Sequence, residues 1–142
     1  MSQNYSNHRR LVPMYHYVSF LLAVAILIGS IVNLVHSMGT EGLYSASLLV
    51  AMSFLFISLF FFARIFALKA QDRAIRAEEN LRNYVRHGAL LDPKLDIRQI
   101  IGLRFAADDE YDGLAKRAIS ENLSETDIKK AIKNWRPDTY RT

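Results

Sequence analysis

The sequence predicts an all-α membrane protein: a two-helix transmembrane hairpin with a long second helix and a small C-terminal cytoplasmic helical domain. Three observations predict it. Between Tyr15 and Phe62, Glu41 is the only Asp, Glu, Lys or Arg. The apolar runs flanking it, residues 14–37 and 43–68, each exceed the ~20 residues that cross ~30 Å of hydrocarbon at 1.5 Å per residue. Finally, neither Gly nor Pro interrupts the chain from Leu43 to His87.

Charge sets the expected orientation. Arg9 and Arg10 precede the first run, and Arg64, Lys69, Arg73 and Arg76 cluster at the end of the second, whereas the turn carries Glu41. Cations near span ends favour the cytoplasmic side, so both termini are expected in the cytoplasm and the turn outside. Arg9-Arg10 ahead of an apolar run also suggests a twin-arginine signal. However, a run of ~24 residues exceeds the 7–15 of a signal core, and no small-x-small cleavage site follows. With no cysteine in 142 residues, a disulfide framework, a thiol nucleophile and a zinc–cysteine site are excluded.

Residues 1–13 form a polar, basic arm expected at the cytoplasmic interface. Pro13 suits the start of a helix, where its missing N–H would be unpaired anyway. Tyr15, Tyr17 and Tyr44 fall at span ends, where amphipathic rings settle. In the first span (14–37), Ser19, Ala23, Ile26, Ser30, Asn33 and Ser37 recur at helical spacing, with Gly29 beside them. After the turn (38–42), the second span (43–68) offers Ser47, Ala51, Phe54 and Ser58. Small and weakly polar stripes allow close helix approach, so the two are expected to face each other. An ion path through Asn33 is disfavoured, because no carboxylate or Lys/Arg lies mid-span.

The second helix is expected to continue as an extension over residues 69–88, stopped by Gly88. Ala63, Ala67, Ala70, Ala74, Ala77, Leu81 and Tyr84 form a heptad-like seam along it. That seam suits a second copy, the N-terminal arm or another protein's helix. The plain alternative is alanine as a helix-forming filler.

Residues 89–142 are expected to make a small helical tail. Asp96 with Gln99 reads as a capping box opening a helix over 97–104. Asp108, Asp109 and Glu110 favour the start of a helix over 109–121. Ser124 with Asp127 caps a last helix over 125–134, ended by Pro137. Ile97, Ile100, Ile101, Leu103, Phe105, Leu114, Ala118, Ile119, Leu123, Ile128, Ala131, Ile132 and Trp135 are its expected core.

Chemistry is harder to find. His8, His16, His36 and His87 lack metal-ligand spacing, and the acidic group at Asp108–Asp112 lacks the ligand alternation of a calcium loop. No phosphate-cradling loop or nucleophile motif is present, so no cofactor, metal or catalytic residue is expected. Lys129, Lys130, Lys133 and Arg136, on or after the final helix, invite a helix-turn-helix reading. The connecting turn lacks the usual glycine, so contact with a protein or anionic lipid is favoured over nucleic acid.

Several segments carry a family resemblance: Pro13-Met14-Tyr15-His16, Gly29-Ser30-Ile31-Val32-Asn33, Ala67-Leu68-Lys69-Ala70-Gln71-Asp72-Arg73, Leu103-Arg104-Phe105-Ala106 and Lys129-Lys130-Ala131-Ile132-Lys133-Asn134-Trp135. The chain resembles small two-span membrane proteins of Bacteroidota, built on a domain of unknown function. The resemblance implies a bacterial inner membrane and transfers no activity.

The expected function is therefore non-catalytic: an accessory or scaffold subunit of an inner-membrane complex. Its partners would be other membrane subunits or a second copy. Helix packing would use Ser19, Ala23, Gly29, Ser30, Asn33, Ser47, Ala51, Ser58, Ala67, Ala70, Ala74 and Ala77. Docking would use Arg104, Phe105, Lys129, Lys130, Lys133 and Arg136. The alternative is a membrane-tethered regulator whose basic tail binds nucleic acid or anionic lipid.

Overall fold

The computed structural model describes residues 3–8 and 11–138. Arg9 and Arg10, which weighed in the orientation argument, lie outside the described residues. Among those described the fold is all-helical, with one isolated antiparallel bridge, Ala106 to Trp135. The helices are α1 (Phe20–His36), α2 (Leu43–His87), α3 (Ile97–Leu103), α4 (Asp108–Ser120) and α5 (Glu125–Ala131). The chain divides into two compact units. One is Leu11–Ala67, and the other combines Met1–Arg10 with Leu68–Thr142.

In the first unit, Pro13 leads into a π-wound segment, Met14–Ser19, which continues as α1. The wider π winding leaves room for Ser19 Oγ to donate to Met14 O at 2.9 Å. Tyr15 ties α2 to this segment: its ring stacks on Phe60 at 4.3 Å and its hydroxyl donates to Phe60 O at 2.6 Å. The connection after α1 turns through Gly39 at φ +79°, a conformation that glycine adopts without steric cost.

Two helical stretches, Met14–His36 and Leu43–His87, are long and apolar enough to cross a membrane. Of their most apolar windows, only 6% and 11% is buried, so neither is the covered core helix of a globular domain.

The second unit has an ordinary apolar core. Ile100, Ile101 and Leu103 of α3, Phe105 and Ala106 after it, Tyr111, Leu114 and Ala118 of α4, and Ile128 of α5 are buried together with Ile132, Leu95 and Ile75 of α2. All thirteen expected core residues lie in this cluster or pack against it. Ile75, Leu95, Ala106 and Tyr111 are additions. Asp96 and Gln99 form the capping box: Gln99 N donates to Asp96 at 2.7 Å and Asp96 N to Gln99 at 3.2 Å. Gly102 lets α5 approach α3, since a Cβ there would stand 3.1 Å from Ile128 and 3.2 Å from the Glu125 carbonyl. Asn122 turns between α4 and α5 at φ +49°, supplying the left-handed residue that a glycine would otherwise provide.

The last helix is shorter than the expected span of 125–134. At Ile132 the backbone becomes extended (ψ 125°), and the following residues pair with the segment after α3. Arg136 N donates to Phe105 O at 2.7 Å and Ala107 N to Asn134 O at 3.0 Å. Non-local pairing thus wins over continued helix.

Candidate interaction surfaces

Within the first unit, a serine pair joins the helices. Ser53 Oγ donates to Ser30 Oγ at 3.1 Å, while each hydroxyl also reaches a carbonyl of its own helix, Leu49 O at 2.7 Å and Leu27 O at 2.8 Å. On α1 the covered stripe is Ala23, Leu27, Ser30, Leu34 and Ser37. On α2 it is Ala46, Val50, Ser53 and Ile57, each one residue earlier than the expected Ser47, Ala51, Phe54 and Ser58. One residue rotates a helix face by ~100°, so those four point outward. Ser47 and Ser58 satisfy their hydroxyls on Tyr44 O and Phe54 O. Of the other expected packing residues, Ser19, Gly29 and Asn33 are exposed and Ala67 is half-buried. A shallow hollow of about 240 Å³ runs beside Gly29, Asn33, Met52 and Phe56.

In the second unit, the part of α2 from Leu68 onward has two different faces. Ile75 and Glu79 are buried, and Asp72, Arg82 and Arg86 are half-buried against the tail. Ala70, Ala74 and Ala77 are exposed, as are Leu81 (62%), Tyr84 (56%) and Val85 (76%).

The covered face is held by a polar clasp. Arg82 donates to Asp108 Oδ1 at 2.5 and 2.8 Å, to Ala106 O at 2.8 Å and to Glu79 at 3.1 Å, and its guanidinium lies 4.4 Å over the Tyr111 ring. Arg86 reaches Asp112 at 3.1 Å and Asp108 O at 2.9 Å, and His87 meets Asp112 at 3.2 Å. The Arg82 hydrogen bond holds the Asp108 carboxyl below its ordinary value of 3.8. Burial pushes the Tyr111 phenol upward from its ordinary range, and the nearby Glu79 charge adds to this. No acceptor meets its hydroxyl in hydrogen-bond geometry among the described residues. The acidic start of α4 is thus consumed by arginines and by the backbone, with Glu110 accepting from Lys133 N and Asn134 N at 3.1 and 2.9 Å. Among the described residues, no group of three or more metal-ligating side chains is assembled.

The expected docking residues separate into two sets. Phe105 is fully buried. Lys129 is buried, pairs with Glu125 at 2.5 Å and lies 5.3 Å from the Phe105 ring centre. Arg104 is nine-tenths buried, pairs with Asp138 at 3.0 Å and stacks over the same ring. Burial lowers its pKa against the pull of the neighbouring carboxylates. These three belong to the interior. Lys130, Lys133 and Arg136 face outward, with Arg136 3.5 Å from Glu79. Arg104, Arg136, Glu78, Glu79 and Asp138 surround a polar hollow of about 170 Å³.

Residues 3–8 pack onto this same unit. The Gln3 side chain forms two hydrogen bonds with the Asp138 backbone: Asp138 N donates to its oxygen at 2.7 Å, and its amide donates to Asp138 O at 3.2 Å. His8 lies 5.9 Å from both the Phe105 and Trp135 rings, and Tyr5 stacks on His8 at 5.6 Å. Nothing in the sequence signals this clasp, because its residues are polar and carry no periodicity.

The chain belongs to the family of unknown function DUF6526, whose model matches residues 1–142. No curated protein and no solved structure matches it.

Proposed function

We propose that this chain is a non-catalytic accessory or scaffold subunit of a bacterial inner-membrane complex. It crosses the bilayer twice, keeps both ends in the cytoplasm and presents its helical tail for docking. The observation that carries this reading is the clasp of residues 3–8 on the tail unit. Chain segments that precede and follow two membrane-long helices meet through Gln3–Asp138 and His8–Trp135. Ends that meet favour an even number of crossings, which supports the two-span reading. The Lys/Arg cluster from Arg64 to Arg76 supports the cytoplasm as the side of both ends. The outward faces of the first unit support insertion, with residues such as Leu21, Leu55 and Phe66 left uncovered.

The test is purification of the full-length chain in mild detergent, followed by mass determination and identification of co-purifying chains. Stoichiometric partners are the expected result. A chain free of other subunits in the native membrane sinks the accessory reading. In that case the outward Lys130 and Lys133 support the alternative, a tethered regulator contacting anionic lipid or nucleic acid. Binding to nucleic acid would then weaken steeply with salt.

A further inference from the structure

We infer that the uncovered face of α2 beyond Leu68 is the dimerisation surface of the protein, and that its occupant is the same face of a second copy in parallel register. This deepens the proposed function by naming a partner. It rests on that reading only through the shared orientation of two copies in one membrane.

A heptad register fits the exposure pattern along the helix. With Ala67, Ala74 and Leu81 at a positions, Ala70, Ala77 and Tyr84 fall at d. Of the covered residues, Asp72, Ile75, Glu79, Arg82, Asn83 and Arg86 then occupy b, c and f, while half-covered Gln71 and Asn80 flank the seam at e and g. The tail therefore packs on the back of the register and leaves the seam uncovered. Apolar exposure concentrates on that seam, at Leu81, Tyr84 and the adjoining Val85.

Charge selects a second copy as the occupant. Arg73 falls at g and Glu78 at the following e. Both are exposed and neither makes an ion pair within 4.0 Å among the described residues, although Glu78 also edges the hollow of Arg104 and Arg136. In a parallel pair, g of one helix meets the following e of its partner, so Arg73 of each copy would meet Glu78 of the other, twice by symmetry. Two copies inserted with the same topology present their helices parallel, as this pairing requires. Alanine at the three exposed seam positions Ala70, Ala74 and Ala77 lets the axes approach to the close end of the ~8–10 Å range, while Leu81 and Tyr84 supply most of the buried area.

The chain's lack of cysteine permits a direct test. Ala74→Cys, Ala77→Cys and Leu81→Cys are each introduced into the full-length protein and oxidised in native membranes, with Arg76→Cys as an equally exposed control on the back of the register. The three seam positions should give disulfide dimers and the control should not. Yields no higher than the control overturn the proposal, as does cross-linking at these positions only to a different polypeptide. That second outcome leaves the subunit reading intact, whereas failure to fractionate with membranes defeats that reading separately. Charge reversal tests the register in the Ala77→Cys background. Arg73→Glu or Glu78→Arg alone should lower the dimer yield about three- to tenfold, as expected for losing two exposed pairs and gaining two repulsions. The double reversal should restore it. A double variant as poor as the singles overturns the parallel register.

Discussion

The two units of this chain place their apolar residues in opposite ways. In Leu11–Ala67 the buried residues are Ser30, Ala46 and Ser53, while leucines and phenylalanines cover the outside. In the tail unit Phe105, Leu103, Ile128 and Tyr111 are inside, and the outside carries the charges. Water drives the second arrangement, because removing apolar area from it is favourable. Hydrocarbon gives no such reward, so a unit inserted as proposed would gain from close contact and from hydroxyls bonded to one another and to the backbone. Exposure alone therefore does not mark a binding surface in this chain. Exposed Leu55 sits in a segment suited to lipid, whereas exposed Leu81 and Tyr84 lie beyond it, in the unit built like a soluble domain.

The largest expected effect comes from Phe105→Ala. Removing a fully buried ring that packs between Trp135, His8 and the Arg104 guanidinium should cost about 3–5 kcal/mol. A unit this small has little more stability than that. The fluorescence of Trp135, the only tryptophan, should lose its cooperative unfolding transition. Membrane association should persist, because the first unit shares none of that core. Simultaneous loss of membrane association would break the contrast between the two units.

Leu55→Lys addresses the first unit. The residue is exposed near the middle of the apolar part of α2, where a soluble protein would accept lysine at almost no cost. At the centre of a membrane span the same change costs about 3–4 kcal/mol on insertion scales. A glycosylation-reporter assay should show a lower inserted fraction. Unchanged insertion would place this face against protein or water rather than lipid.

Local signals were the most legible in the sequence. The Asp96–Gln99 capping box involves residues only three apart, and the tail's apolar periodicity identified a core that the structure retains in full. Gly88, at φ +70°, likewise marks the end of α2. What remained hidden depends on partners distant in sequence. The α2 seam within the first unit is rotated by one residue because Ser53 and Phe60 have specific partners in Ser30 and Tyr15, and a stripe of small residues does not specify that rotation. Burial of Lys129 and Arg104 follows from the aromatic Phe105 between them, not from their own residue type. The tail-facing side of α2 mixes Ile75 with Glu79 and Arg82, so it reads as a solvated face until Asp108 and Tyr111 are brought to it.

The smallest expected effect isolates that hidden face. Asp108 is exposed on one side and hydrogen-bonded to Arg82 on the other, so its folded pKa lies below the ordinary 3.8. The unfolded chain therefore takes up this proton first as pH falls. The contribution of Asp108 to stability is complete above its ordinary value and is lost as pH drops through that value toward the folded one. Arg86 and Arg136 add to the same field and stay charged throughout, so the carboxylate is the partner that titrates. Asp108→Asn should lower the tail's unfolding midpoint at neutral pH, and the difference from the native chain should shrink as pH falls through and below the ordinary 3.8. Exposure keeps the effect modest, well below that of Phe105→Ala. A difference that does not change across this window would mean that Asp108 holds α2 to α4 through geometry alone, with Arg82 satisfied by Glu79 and the Ala106 carbonyl.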